Sequence, residues 1–178
     1  MGGARGGDTA AAQTALARLE AIHDGLVQGK DAYWAQQVEI QEVTVRAWAA
    51  LAEGRKDEAL RQMKSAAQLE DATEKSAVTP GPLAPARELL GEMLLQIKEP
   101  AQALGQFEAT LTKEPRRFRS LYGAALAAQL SGSREVSQRY FGELLNLCEH
   151  ADKPGRTEVL DAQRATSRKI SQNSRPFD

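Results

Sequence analysis

The chain of 178 residues holds one cysteine and two histidines, so it has few of the side chains that bind metals or form disulfides. A single cysteine cannot form an internal disulfide, and a structural zinc ion takes a full set of ligands at recognisable spacing. Cys148-Glu149-His150 brings two of these residues together, but neighbouring residues on a helix point in different directions and do not converge on one ion. We therefore expect neither a metal ion nor a cofactor.

Other classes of function are excluded in the same way. The sequence has no run of about 18 apolar residues that could span a membrane, and Met1–Gly7 lacks the apolar core of a signal peptide. The net charge of −1 gives no overall attraction to nucleic acid or to an anionic membrane. The nucleophile elbow, the phosphate-binding loop and the dinucleotide fingerprint are missing. We expect a protein that is not an enzyme and binds neither nucleic acid nor a membrane, in the cytoplasm or, if a longer form carries a signal peptide, in the periplasm.

Aromatic residues make up 5% of the chain, whereas alanine, leucine, glutamine and glutamate are plentiful, which favours helices over strands. Within this composition two segments repeat the same outline. The first reads Arg87-x-x-Leu90-Gly91-x-x-Leu94, then Ala103-x-x-x-Phe107, then Pro115. The second reads Leu121-x-x-Ala124-Ala125-x-x-Ala128, then Ser137-x-x-x-Phe141. Phe107 and Phe141 lie 34 residues apart.

This outline resembles the tetratricopeptide repeat, which has the same period. The resemblance implies an all-α fold, a right-handed α-solenoid of antiparallel helix pairs, and a protein of bacterial type. Arg87 departs from the family outline by replacing its usual tryptophan, and Lys98 replaces the glycine of the turn between helices. The resulting prediction is eight helices, at about 9–24, 32–53, 57–75, 85–97, 100–113, 117–131, 134–149 and 156–170.

The same alignment predicts one solenoid over 1–170 and a flexible tail over 171–178. The solenoid comprises a partial repeat at 8–24, repeats at about 32–75, 84–115 and 118–149, and a capping helix at about 156–170. The cap receives its polar outer face from Arg164, Arg168 and Lys169. Residues in excess of the period predict loops around 23–34 and 73–85. Because the partial repeat has no first helix, we expect the chain to be the C-terminal portion of a longer protein.

Close packing of the two helices in a repeat requires small residues where the backbones approach and a larger apolar residue beside them. Gly91 and Ala103 are the small pair of the best-matching repeat, with Leu94 and Phe107 as the fillers. In the following repeat Ala125 and Ser137 take the small positions and Phe141 the large one.

In tetratricopeptide solenoids the first helix of each pair lines a concave groove. The resemblance places these side chains there: Gln41, Thr44, Trp48, Glu88, Glu92, Gln96, Arg119, Tyr122 and Leu126. Trp48 and Tyr122 are the aromatic anchors of this predicted groove, although Trp48 could instead pack against the next repeat. The carboxylate clamp found in some such grooves is not expected, because only Arg119 agrees with its positions.

Two further clusters are weaker candidates. Arg116-Arg117-Phe118-Arg119 could contact phosphate, but the run is short and spans a turn beside Glu114, so a surface role is favoured. Glu88 and Glu92 lie four residues apart on one helix face, where we expect solvated carboxylates and no acid–base catalysis.

The sequence therefore predicts a non-enzymatic scaffold that binds a protein or peptide segment on its concave face. The alternative is an accessory module of a larger enzyme or regulator whose functional domain lies upstream of residue 1. Self-association is a further expectation, through an open N-terminal face formed by Ala12, Leu16 and Leu19.

Overall fold

The computed structural model describes residues 2–73, 82–152 and 155–172, and these residues form helices and no strands. The helices found in them are α1 (Gly2–Arg5), α2 (Thr9–Gln28), α3 (Ala32–Ala52), α4 (Lys56–Ala72), α5 (Ala86–Gln96), α6 (Pro100–Lys113), α7 (Phe118–Leu130), α8 (Arg134–Leu147) and α9 (Thr157–Gln172). The prediction of an all-α fold is confirmed. Within the described ranges no helix is both long and apolar enough to cross a membrane.

Each predicted helix has a counterpart, and most bounds agree within two or three residues. The main difference is at α2, which continues to Gln28, so that the loop expected around 23–34 shrinks to residues 29–31. The tail predicted at 171–178 begins inside α9 and otherwise lies outside the described residues. Most of the loop predicted at 73–85 lies outside them as well.

Aspartates begin the two long N-terminal helices. The Asp8 carboxylate accepts a hydrogen bond from the backbone N–H of Ala11 at 2.9 Å, and the Asp31 carboxylate accepts one from Trp34 at 3.3 Å. Such N-caps satisfy backbone donors that have no partner within the helix. They explain why α2 and α3 begin where they do.

One turn geometry ends several of the helices. Gly54 and Gly132 have a positive φ of 82°, and Lys98 adopts the same left-handed conformation at 66°. After each of them the next backbone N–H bonds to a carbonyl five residues back, as in Glu99 to Leu94 at 2.8 Å. Lysine therefore makes the same turn as glycine at position 98, with the left-handed strain that a side chain adds, about 1 kcal/mol.

Two compact units make up the chain: unit 1 is Met1–Leu90 and unit 2 is Gly91–Asp178. In unit 1, α3 packs against α1, α2 and α4. In unit 2, α7 packs against both α6 and α8, and α8 packs against α9. Within each unit, helices that follow one another in sequence are neighbours in space. The single solenoid over 1–170 stays a prediction.

Phe107 lies at the centre of the packing in unit 2. Its side chain is fully buried, and a Cβ atom added at Gly91 would lie 2.8 Å from the ring. The predicted contact between Gly91 and Phe107 is thus confirmed. A Cβ atom at Gly123 would approach the same ring even more closely. The sequence reasoning had assigned the small position of this helix to Ala125, so the contact with Gly123 is new.

In the described residues the structure has one helix more than the eight predicted, and it lies before residue 9. Gly2–Arg5 forms the short helix α1, which packs against α2 and α3. Residues outside α1 contact it. A Cβ atom at Gly3 would lie 2.9 Å from the Cβ of Ala11, and the Arg5 guanidinium lies 4.8 Å from the centre of the Trp48 ring. Helix periodicity within so short a segment could not predict it.

Replacement of the Phe107 ring tests its role in unit 2. Phe107→Ala is expected to lower the free energy of unfolding by about 3–5 kcal/mol, because it removes a fully buried aromatic side chain. Urea denaturation followed by circular dichroism measures this change. Leu130→Ala, at an exposed position of α7, is the control and should change stability by less than about 0.5 kcal/mol. Similar small effects for both variants would contradict the packing described.

Two glycines in neighbouring helices give opposite expectations on replacement by alanine. Gly123→Ala pushes a methyl group into the enclosed Phe107 ring and should destabilise the protein by about 1–3 kcal/mol. Gly105→Ala, in α6, meets nothing within 4 Å and should stabilise by up to about 1 kcal/mol through helix propensity. The same denaturation experiment compares them, and a stabilising Gly123→Ala would show that the ring is free to move.

Candidate partner-binding site

The residues predicted to line a groove differ widely in accessibility. Gln41, Gln96 and Arg119 are exposed, and Glu92, Tyr122 and Leu126 are half-buried. Thr44, Trp48 and Glu88 are buried. A partner could meet the first six directly, whereas the last three are covered by the protein itself.

The prediction that Thr44 and Trp48 line an accessible wall was wrong, because α3 is enclosed by three helices. It is packed against α1, α2 and α4. Only 1% of the Thr44 surface and 2% of the Trp48 surface is exposed to solvent. The Arg5 guanidinium lies over the Trp48 ring. Trp48 therefore packs inside unit 1 and is not an exposed anchor in this conformation.

Glu88 was also expected to be solvated, but it is fully buried. The start of α5 is fixed to the end of α4, since the Glu70 carboxylate accepts a hydrogen bond from the N–H of Ala86 and Arg87 pairs with Asp71 at 2.6 Å. This attachment covers the first turn of α5. Glu88 is therefore not available to a partner.

An ion pair joins α5 and α7 within unit 2. The Arg119 guanidinium donates a hydrogen bond to the Glu92 carboxylate at 2.5 Å, and the Glu92 side chain is only 15% exposed. The sequence analysis had placed both residues on the groove wall without pairing them. Because the contact joins residues 27 apart in the chain, local spacing gives no sign of it.

Tyr122 is the predicted anchor that the structure leaves partly accessible. Its hydroxyl donates a hydrogen bond to the Asp161 carboxylate at 3.1 Å, and its ring meets Phe141 edge to face at 6.3 Å between centroids. Burial, and then the hydrogen bond to Asp161, raise the pKa of the Tyr122 phenol to about 12. At neutral pH Tyr122 is therefore a neutral hydrogen-bond donor with a fixed orientation.

A cleft of about 580 Å³ opens beside Tyr122, between α7, α8 and α9. Leu126 and the almost fully buried Phe141 belong to its apolar lining, and Arg134, Asp161 and Arg164 contribute charge. Asp161 and Arg164 were missed as site residues, because α9 had been assigned to the cap and Arg164 to its outer face. The structure places Arg164 in the lining of the cleft, and the side chains of Arg168 and Lys169 lie outside the described part.

A second groove, of about 480 Å³, runs between α2 and α3 in unit 1. Ala11, Arg18 and Leu19 line it from α2, and Gln41 and Val45 line it from α3. Of the residues predicted to form an open self-association face, Ala12 is buried, and Leu16 and Leu19 are half-buried. Ala12 therefore does not belong to an open surface.

The remaining sequence candidates are dispersed or already paired. Arg117 forms an ion pair with Glu114 at 2.8 Å, and Arg156 lies over the ring of Phe118. Cys148 ends α8, with His150 exposed beyond it. Across residues 2–73, 82–152 and 155–172, no group of three or more His, Cys, Asp or Glu residues is placed to hold a metal ion.

Comparison with known proteins adds no family to this description. No protein-family model matches the chain, and no curated protein matches its sequence. The function of the cleft must therefore be inferred from its own shape, charges and hydrogen bonds.

The ionisation of Tyr122 provides a test of the cleft geometry. When the absorbance of the folded protein is followed against pH, the phenol of Tyr122 should ionise near pH 12, and this step should be missing in Tyr122→Phe. Since the phenol of an unfolded chain ionises near pH 10, the stability that this group contributes is complete below about pH 10 and is lost as the pH rises towards 12.

Asp161→Asn should move this step to lower pH, because it removes the carboxylate charge that opposes a phenolate. Circular dichroism at each pH shows whether the protein is still folded. If the absorbance step that is missing in Tyr122→Phe lies near pH 10 in the folded parent protein, Tyr122 is solvated and not bonded to Asp161.

Proposed function

We propose that the protein is a non-enzymatic interaction module whose unit 2 binds a protein or peptide segment in the cleft between α7, α8 and α9. The observation that carries this proposal is the cleft itself. Its volume of about 580 Å³ lies within the range of protein sites that enclose ligands. It combines the apolar surface of the half-buried Leu126 with a small number of fixed polar groups, which is the composition of a recognition site.

The polar groups of the cleft are better suited to recognition than to proton transfer. The raised pKa of Tyr122 keeps the phenol neutral, so that it is a poor base and a poor nucleophile at neutral pH. The Asp161 carboxylate is engaged by the Tyr122 hydroxyl and lies 3.7 Å from Arg164. Pre-oriented donors and acceptors of this kind give specificity at an interface.

The charges of the lining indicate the chemistry of the partner. Arg134, Asp161 and Arg164 are the charged residues of the lining, and the Arg164 guanidinium is exposed. An acidic side chain on the partner would complement the exposed Arg164, and an apolar side chain would cover the half-buried Leu126. We expect the bound segment to carry an acidic residue close to a large apolar one.

The resemblance to tetratricopeptide repeats supports the same proposal. The turns at Lys98 and Gly132, which lie 34 residues apart, share one hydrogen-bonding pattern, as repeats of one unit should. Tyr122 and Leu126, expected on the groove wall from that resemblance, both line the cleft.

Selection from a library of random peptides displayed on phage tests the proposal. The purified full chain is the bait, and synthetic versions of the enriched peptides are then measured by isothermal titration calorimetry. Leu126→Glu and Arg164→Glu should each weaken binding at least about tenfold, the effect of losing one well-formed contact of about 1.4 kcal/mol.

Matched controls separate the cleft from the general surface. Leu130→Glu changes an exposed leucine on the same helix, and Arg61→Glu reverses an exposed charge on α4. Both should leave the affinity unchanged. The proposal fails if the peptides bind the cleft variants and the controls equally, or if the selection enriches no sequence.

A further inference from the structure

The groove between α2 and α3 has the components of a site for an aromatic ring. Ala15 and Leu19 are half-buried and give the groove apolar surface. Arg18 and Gln41 line the same groove and are exposed to solvent. Neither of these two side chains has a hydrogen bond or an ion pair with another described residue. The groove therefore combines apolar surface with a cation and a carboxamide that the described part of the chain leaves unpaired.

These groups match the side chain of tryptophan. A guanidinium is attracted to the face of an indole ring, and a carboxamide oxygen accepts a hydrogen bond from the indole N–H. The small side chain of Ala15 leaves space for a ring beside Arg18, which follows it by three residues on the same side of α2. Phenylalanine has no donor for Gln41, whereas tryptophan can use the cation, the acceptor and the apolar surface together.

An exposed tryptophan lies on the same face of α3. Trp34 is 46% exposed and precedes Gln41 by seven residues, close to two helical turns, so both side chains project from one side of the helix. Its ring meets the ring of Tyr33 edge to face, at 5.3 Å between centroids. On α2, Ile22 follows Arg18 by four residues and is 52% exposed. Trp34 and Ile22 therefore extend the apolar surface of this face beyond the groove.

Trp34 does not reach the groove of its own chain. Seven residues of α-helix rise about 10 Å, and Gln41 lines the groove whereas Trp34 does not. Because α2 and α3 are joined by residues 29–31 and pack together, they run antiparallel. Trp34 lies beside this connection, and Ala15 lies in the groove farther from it. The face thus carries an exposed ring at one end and a recess at the other.

We propose that this face binds a second copy of the chain, with Trp34 of each copy seated in the α2–α3 groove of the other. A two-fold axis between Trp34 and the groove places the ring of one copy at the recess of its partner, and does so twice. In each contact the Arg18 guanidinium covers the indole face, and the Gln41 side chain accepts the indole N–H. The second copy is the occupant because one face supplies both the ring and the groups that receive it.

This surface differs from the self-association face expected from the sequence. It shares Leu19 with that expectation, whereas Ala12 is buried and Trp34 was not among the predicted residues. The surface lies in unit 1 and does not involve the cleft of unit 2. The dimer and the proposed peptide binding are therefore tested independently.

Sedimentation equilibrium of the full chain tests the dimer. The weight-average mass should rise with concentration from that of a monomer and level off at that of a dimer. Trp34→Ala and Arg18→Gln should each raise the dissociation constant at least about tenfold, because each removes a contact from both sides of the dimer. Val27→Ala is the matched control and should leave the constant unchanged. Val27 is 55% exposed near the same end of α2, but it lies five residues from Ile22 and on another side of the helix.

Two complementary variants test the reciprocal contact. Ala15→Leu fills the groove but keeps Trp34, and Trp34→Ala keeps the groove but lacks the ring. Each variant alone should associate at least about tenfold more weakly than the parent chain. An equimolar mixture should associate more tightly than either, because the Trp34 ring of one variant meets the open groove of the other. Circular dichroism shows whether helix content is retained, and Arg18→Gln replaces Ala15→Leu if that variant unfolds.

A parent chain that stays monomeric at millimolar concentration would overturn the proposal. If such a monomer binds an added tryptophan-containing peptide in its groove, the occupant is another protein and not a second copy. Equal effects of Val27→Ala and Trp34→Ala would show that the association is not specific to the groove. A mass that rises past the dimer, or a mixture that associates no more tightly than its components, would contradict the reciprocal two-fold contact.

Discussion

The ring of Phe107 on α6 fixes the approach of α5 and α7, and α7 also carries residues of the candidate cleft. Gly91 on α5 and Gly123 on α7 both meet the ring so closely that neither position has room for a Cβ atom. Glycine contacts of this kind set the rotation of each helix as well as its distance, because any other face would present a side chain to the ring. The positions of the neighbouring residues on α5 and α7 follow from this register.

The polar contacts of unit 2 agree with that register. Glu92 follows Gly91, and Arg119 lies one helical turn before Gly123, so the two charges meet at 2.5 Å. Tyr122 precedes Gly123 and is directed towards Asp161 on α9. A partly exposed ion pair or hydrogen bond stabilises little alone. Of these contacts, the hydrogen bond from Tyr122 to Asp161 orients two residues that line the cleft.

Local pattern predicted the helices and part of the packing. Helix spacing, proline and glycine predicted nearly every helix, and the alternation of small and large residues predicted the contact between Gly91 and Phe107. The same reasoning chose Ala125 in place of Gly123, because the repeat outline gives the spacing of small residues along the chain but not the rotation of the helix about its axis. It also failed at Trp48, since α1, α2 and α4 enclose α3 there and the Arg5 guanidinium, from 43 residues away in the chain, lies over the ring. Contacts between distant residues leave no periodic signal in the sequence.

The two predicted aromatic anchors differ both in accessibility and in the partners of their polar atoms. The Tyr122 hydroxyl finds an acceptor in Asp161, so the ring can stay at the edge of an open cleft with its polar atom satisfied. Trp48 has a buried N–H without an acceptor among the described residues and an aromatic face covered by a cation. A covering that leaves a buried donor unsatisfied is weaker than one that satisfies it. Of the two predicted anchors, Trp48 is therefore enclosed within unit 1, whereas Tyr122 lies beside an open cleft where a partner can reach it.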